Sequence, residues 1–164
     1  MAWLHSVICG AACIAAVAQA DTLGIFGREG VYAAMFWTET GDSDAYTNAA
    51  IRMFRDYNGV GGTVGDIAVG TQTTDIAKVA VYGMAHSSTN NRVDVVIINR
   101  QTTAQPVTVK LNHPVLLPHV DVYQLDATNP APYLPRFVGQ ASVAQNEYAY
   151  TAPALSVTTL AFRF

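Results

Sequence analysis

Residues 93–99, Val-Asp-Val-Val-Ile-Ile-Asn, limit the possible folds more than any other stretch of the chain. In an extended strand, successive side chains point to opposite faces. Val93, Val95 and Ile97 then share one face, and Val96 and Ile98 the other. A strand that is apolar on both faces needs cover on both, which marks it as a central strand. Residues 78–85, just upstream, are apolar and β-branched, and the polar cluster at 87–91 lies between the two runs, so the spacing predicts a hairpin.

Downstream, residues 107–111 alternate, with Val107, Val109 and Leu111 inward and Thr108 and Lys110 outward. Residues 120–125, 147–151 and 155–164 read as further strands, and 129–135 as a proline-punctuated loop. Short strands with frequent turns predict a mainly β chain, an antiparallel β-sandwich.

The region before residue 59 reads differently. Tyr46, Ala49, Ala50, Met53, Phe54 and Tyr57 recur at three- and four-residue spacing, which predicts a helix over 45–57. Ser43 or Asp44 can cap it, and Asn58-Gly59 ends it. The glycine-rich stretch GVGGTVG at 59–65 divides this region from the β-rich remainder. Residues 23–26 and 31–37 are short apolar segments on either side of Gly27-Arg28-Glu29-Gly30, and 31–37 is expected to be a strand ending on Trp37.

The first twenty residues allow two readings. Ala18-Gln19-Ala20 before Asp21 fits a signal-peptide cleavage site, though the segment has no Lys or Arg at its start. The alternative is a buried helix leading into a short strand at 23–26. Gln19 cuts the apolar run short of a membrane span, so no membrane partner is expected. Cys9 and Cys13 have no other cysteine to pair with and read as small buried residues.

Composition removes several function classes. Charged residues make up 13% of the chain and the net charge is −3 with no basic patch, so nucleic acid is not an expected partner. The four histidines lack metal-ligand spacing, 59–65 lacks the Lys-Ser/Thr of a phosphate loop, and Asp42, Asp44 and Asp66 do not follow a calcium-loop pattern. No metal or cofactor is expected.

Sandwich patterns of this kind often accompany sugar chemistry, and glycosidases need two carboxyl groups flanking the scissile bond. There are three glutamates. Glu29 reads as the partner of Arg28 in a turn, Glu39 as a solvated loop residue and Glu147 as the exposed start of a strand, so no catalytic residue is assigned. Trp37 is either core or a platform for a sugar ring. Tyr148 and Tyr150 share a strand face, which makes them either core or a binding stripe.

DTLGIFGREGVYAAMFW at 21–37, AAIRMFRDYNG at 49–59, VIINR at 96–100 and PALSVTTLAF at 153–162 together resemble the C-terminal third of glycoside hydrolase family 44. The resemblance covers residues 16–164. It implies a (β/α)8 barrel joined to a β-sandwich in the parent architecture, and retaining endo-β-1,4-glucanase activity on cellulose-type chains and xyloglucan. Residues 1–59 would then be an αβα remnant of the barrel (helix, last strand, last helix) and 60–164 the C-terminal sandwich. CIAAVAQAD at 13–21 is similar to the family's helix before the last strand. Trp37 matches the aromatic that supports the sugar, and β-glucan is the implied partner of a secreted protein. The family's catalytic glutamates lie on earlier strands, and Glu29 matches neither motif. A lone barrel strand would leave apolar surface open to self-association.

Overall fold

The computed structural model describes the backbone of residues 2–36, 42–129 and 133–164, with side chains except at 2–12, 42 and 43. Two helices come first: α1 (Ala2–Arg28) and α2 (Asp42–Arg55). Eight strands come after them: β1 (Ile67–Val69), β2 (Val79–Ala85), β3 (Arg92–Asn99), β4 (Gln105–Lys110), β5 (His119–Leu125), β6 (Arg136–Ser142), β7 (Glu147–Ala152) and β8 (Ser156–Arg163). Six form an antiparallel sheet in the order β1-β2-β3-β8-β5-β6, and β4 pairs with β7 in a second sheet.

The two-faced pattern of residues 93–99 is realised as two cores. Val93, Val95 and Ile97 face the β4–β7 sheet together with Val120, Val122, Leu160 and Phe162. Val96 and Ile98 face the helices, with Ala80, Tyr82, Met84 and Val157 beside them. Cys13, Ala16, Val17 and Ala20 of α1 and Tyr46, Ala49, Ala50, Met53 and Phe54 of α2 close that second core. The chain is therefore an antiparallel β-sandwich with a helical layer on the outer face of its larger sheet. The hairpin expected around 87–91 joins β2 to β3, with Val81 opposite Ile97. Among the described residues, no helix is long and apolar enough to cross a membrane.

The region before α2 departs from the sequence expectation. Residues 23–26 do not form a separate segment: Cys13, Ala16, Val17, Ala20 and Gly24 keep one helical stripe going, and α1 runs on to Arg28. It ends in a Schellman turn, where the Val31 N–H donates to the Phe26 carbonyl (2.9 Å) and the Gly30 N–H to that of Gly27 (3.3 Å). Gly30 takes the left-handed φ of 68° that this turn requires. Residues 31–36 then form no strand and are exposed, because no neighbouring strand offers them a ladder. Residue 37, the expected end of that strand, lies outside the described residues. β1 and β6 are strands that the sequence pattern did not predict.

The glycine-rich stretch folds back onto the end of α2. The Tyr57 N–H donates to the Gly62 carbonyl (3.0 Å) and the Val64 N–H to that of Phe54 (2.9 Å). The Asn58 side-chain oxygen accepts from the Val60 and Gly62 N–H groups.

Candidate functional site

Carboxylates decide whether this chain can cut a glycosidic bond, and nearly every described one has a partner of its own. Arg28 Nε lies 2.8 Å from Glu29, with both side chains about half exposed in the turn. Lys110 lies 3.0 Å from Glu147 on the outer surface of the β4–β7 sheet. Glu39 is outside the described residues. Asp56 pairs with Arg52, Asp75 with Lys78, Asp126 with Arg136, and Asp66 accepts from the Ser87 hydroxyl and N–H. Hydrogen bonds from Ser87 and Lys78 hold the Asp66 and Asp75 carboxyls below the usual range.

Asp94 and Asp121 are two acidic residues on one face of the larger sheet. Both lie opposite Ala161, one on each side of β8 and on the face turned toward the helices. That register places their backbones about 9–10 Å apart, two strand spacings. Each is engaged already. Asp94 is fully buried against His86 (2.6 Å) and Arg92 (3.4 Å), and Asp121 takes Arg163 at 2.7 Å. Burial pushes the Asp94 carboxyl above the usual range, opposed by the charges of Arg92 and His86. Arg92 also donates to the Tyr57 hydroxyl and to the Thr63 carbonyl, so this network pins the α2 exit to the sheet.

A second network fixes α1. The Tyr82 hydroxyl donates to Asp21 Oδ1 (2.7 Å), and Arg100 reaches Asp21 Oδ2 (2.5 Å) and the Ile76 carbonyl (2.6 Å). Gly24 lies against the Tyr82 ring, and past it α1 opens a cavity of about 330 Å³ lined by Gly27, Tyr32, Phe54 and Tyr82, with Arg28 and Asp66 at its polar margin. This cavity borders the segment that leads to Trp37. Trp37 itself, assigned to sugar binding by resemblance, lies outside the described residues.

A larger groove of about 1080 Å³ runs between β2–β3 and β4, with a valine floor (Val79, Val81, Val93, Val95, Val107, Val109) and polar margins that include Gln72, Asp75, Lys78 and His113. Among its described lining residues there is no Phe, Tyr or Trp on which a sugar could stack. Tyr148 and Tyr150 share a strand face, and that face packs into the core between the sheets. The Tyr150 hydroxyl lies 3.0 Å from Gln124 Oε1 and 3.2 Å from Thr158 Oγ1. These tyrosines are core residues and do not form an exposed stripe.

A different aromatic row runs outward from the core, from buried Tyr57 through half-buried Tyr123 to exposed Phe137. Tyr57, Tyr123 and Phe137 form a row running from the α2 exit across β5 to β6, with ring centroids 4.7 and 5.4 Å apart. Phe137 is 57% exposed. Sequence reading missed this row because cross-strand register brings the three residues together, and the pairing shifts by one residue between Val122 and Tyr123.

No protein-family profile matches the chain. It is 31% identical over 142 residues to endoglucanase A of Paenibacillus lautus, a match covering 85% of this chain and 20% of that protein. Among solved structures, it is similar to the family 44 endoglucanase Cel44A from Clostridium thermocellum, with a TM-score of 0.83 and 27% identity over 90% of this chain and 28% of that one. It also resembles a Paenibacillus polymyxa family 44 xyloglucanase solved with xyloglucan, with a TM-score of 0.84 and 24% identity over 91% of this chain and 29% of that one. The chain spans a fifth of the sequence relative and under a third of either structure.

Proposed function

We propose, from the premise that this chain matches the C-terminal portion of glycoside hydrolase family 44 enzymes in sequence and fold, that it serves as the non-catalytic C-terminal part of a secreted β-1,4-glucan or xyloglucan hydrolase. The observation that carries this reading is the state of the carboxylates. Glu29 and Glu147 are each bound to a neighbouring cation at the surface, and among the described residues neither is paired with a second carboxyl group as glycosidic cleavage requires. The polysaccharide assignment is supported by the endoglucanase relatives, and secretion by the extracellular nature of such a substrate.

In this reading residues 1–59 are a barrel remnant and 60–164 the sandwich. Trp37 would support a sugar ring only when the remaining barrel is present. The exposed run Val31, Tyr32, Met35 and Phe36 is the surface such a barrel would cover, and alone it favours self-association. Reducing-end release from xyloglucan and carboxymethyl cellulose tests the reading: the purified chain should give none. Turnover that persists in Glu29→Gln, or any other turnover above the blank, overturns it.

A further inference from the structure

The larger sheet leaves part of its helix-side face open to solvent. α2 packs on β8 and β5, while β6 beyond them is exposed along nearly its whole length. Register sets Tyr123 beside Phe137 in one row, Asp121 beside Gln140 in the next, and His119 beside Arg163 in a third. The rings of Tyr123 and Phe137 are tilted 53° to each other, and Phe137 is the outer and more exposed of the two. The register shift at Val122/Tyr123 makes Val138 the extra residue on β6, so Phe137 and Gln140 emerge on the same face.

The chemistry of this face is specific. A pyranose ring has an apolar C–H face and an equatorial rim of hydroxyls, so it is held by an aromatic surface with planar hydrogen-bonding groups beside it. Phe137 and Tyr123 supply the surface. Gln140 and half-exposed Arg163, which is anchored on buried Asp121, supply the planar groups. Arg163 Nη2 sits 2.7–2.8 Å from both Asp121 oxygens, so the two charges neutralise each other and leave donors and acceptors with no net attraction for an anion. That balance favours a neutral sugar over an acidic one.

We propose that the Phe137–Tyr123 face is a carbohydrate-binding surface for a neutral β-glucan chain, with Phe137 as the stacking platform and Gln140 and Arg163 as hydrogen-bonding partners. The identity of the sugar rests on the function proposed above; the place of binding rests on this geometry. It differs from the sugar contact assigned to Trp37, since it lies on the sandwich and is complete in this chain.

Affinity electrophoresis in gels cast with soluble xyloglucan, hydroxyethyl cellulose or polygalacturonate tests the proposal. The chain should be retarded by the first two and not by the third. Phe137→Ala should weaken retention about tenfold, the loss of one anchoring aromatic, and Phe137→Trp should restore it. Gln140→Ala should reduce retention in part. Phe137 is exposed, so both Phe137 variants should melt cooperatively, and circular dichroism checks this. Unretarded wild-type chain, or retention unchanged in folded Phe137→Ala, overturns the proposal. Retention only by polygalacturonate also overturns it, by pointing to an anion site at Arg163. The hydrolysis assay reads the underlying function independently: turnover would sink that reading, whereas loss of retention alone would sink only this one.

Discussion

At the scale of single residues, the bonds that matter most join the two helices to the sheet. The Thr159 hydroxyl, fully buried on β8, donates to the Met53 carbonyl in the last turn of α2 at 2.8 Å. Helix ends leave such carbonyls without intrahelical partners. Thr159→Val keeps the shape and removes the donor, so it should cost about 1–3 kcal/mol, read as a lower urea midpoint with an unchanged slope. Tyr82 gives a pH signature. Burial, and then its bond to Asp21, push its hydroxyl up to about 12, against about 10 in an unfolded chain. Below pH 10 both states hold the proton and the contribution is intact. As pH rises from 10 toward 12 the unfolded chain loses its proton first, so stability should fall. Urea midpoints measured across that window should decline, and Tyr82→Phe should flatten its share of the decline.

At the scale of elements, α1 is held by close approach. A methyl group on Gly24 would overlap three atoms of the Tyr82 ring. That ring is tethered at its hydroxyl to Asp21, so it cannot swing clear. Gly24→Ala gains about 1 kcal/mol of helix propensity but incurs an overpacking cost of about 1–3 kcal/mol. With the ring fixed, the second effect wins, and thermal melts should show a lower Tm. The sequence was informative where burial imposes a period. Residues 93–99 read as a two-faced strand and became one. The helix expected over 45–57 is Asp42–Arg55, with its apolar stripe in the core. Elsewhere no period exists to be read. β6, exposed along nearly its whole length, has no apolar alternation. Residues 31–36 have strand-like composition but no partner strand, and a strand needs a neighbour before composition counts. The same reason gives an expected outcome: the amides of 32–36 should exchange within the dead time of a hydrogen-exchange experiment, while those of β3 and β8 stay protected. The aromatic row ending at Phe137 was illegible because residues 57, 123 and 137 meet only through tertiary register.

At the scale of the whole molecule, the helical layer ends in unpaired apolar surface. Tyr32 and Met35 are fully exposed, and Val31 and Phe36 nearly half so. Size-exclusion elution should therefore shift to larger species with rising concentration, and a Tyr32→Lys, Met35→Lys double variant should elute as a monomer throughout. Elution independent of concentration in the wild-type chain would show that this face does not drive association. Strand order has a different consequence. β8, the last strand in the sequence, lies between β3 and β5 and joins the two halves of the large sheet. The strands that precede it in the sequence therefore leave a gap between them, which the eight residues of β8 fill. Chains truncated before Ser156 should thus stay protease-sensitive, and a stop codon at Ser156 should leave no partial sandwich behind.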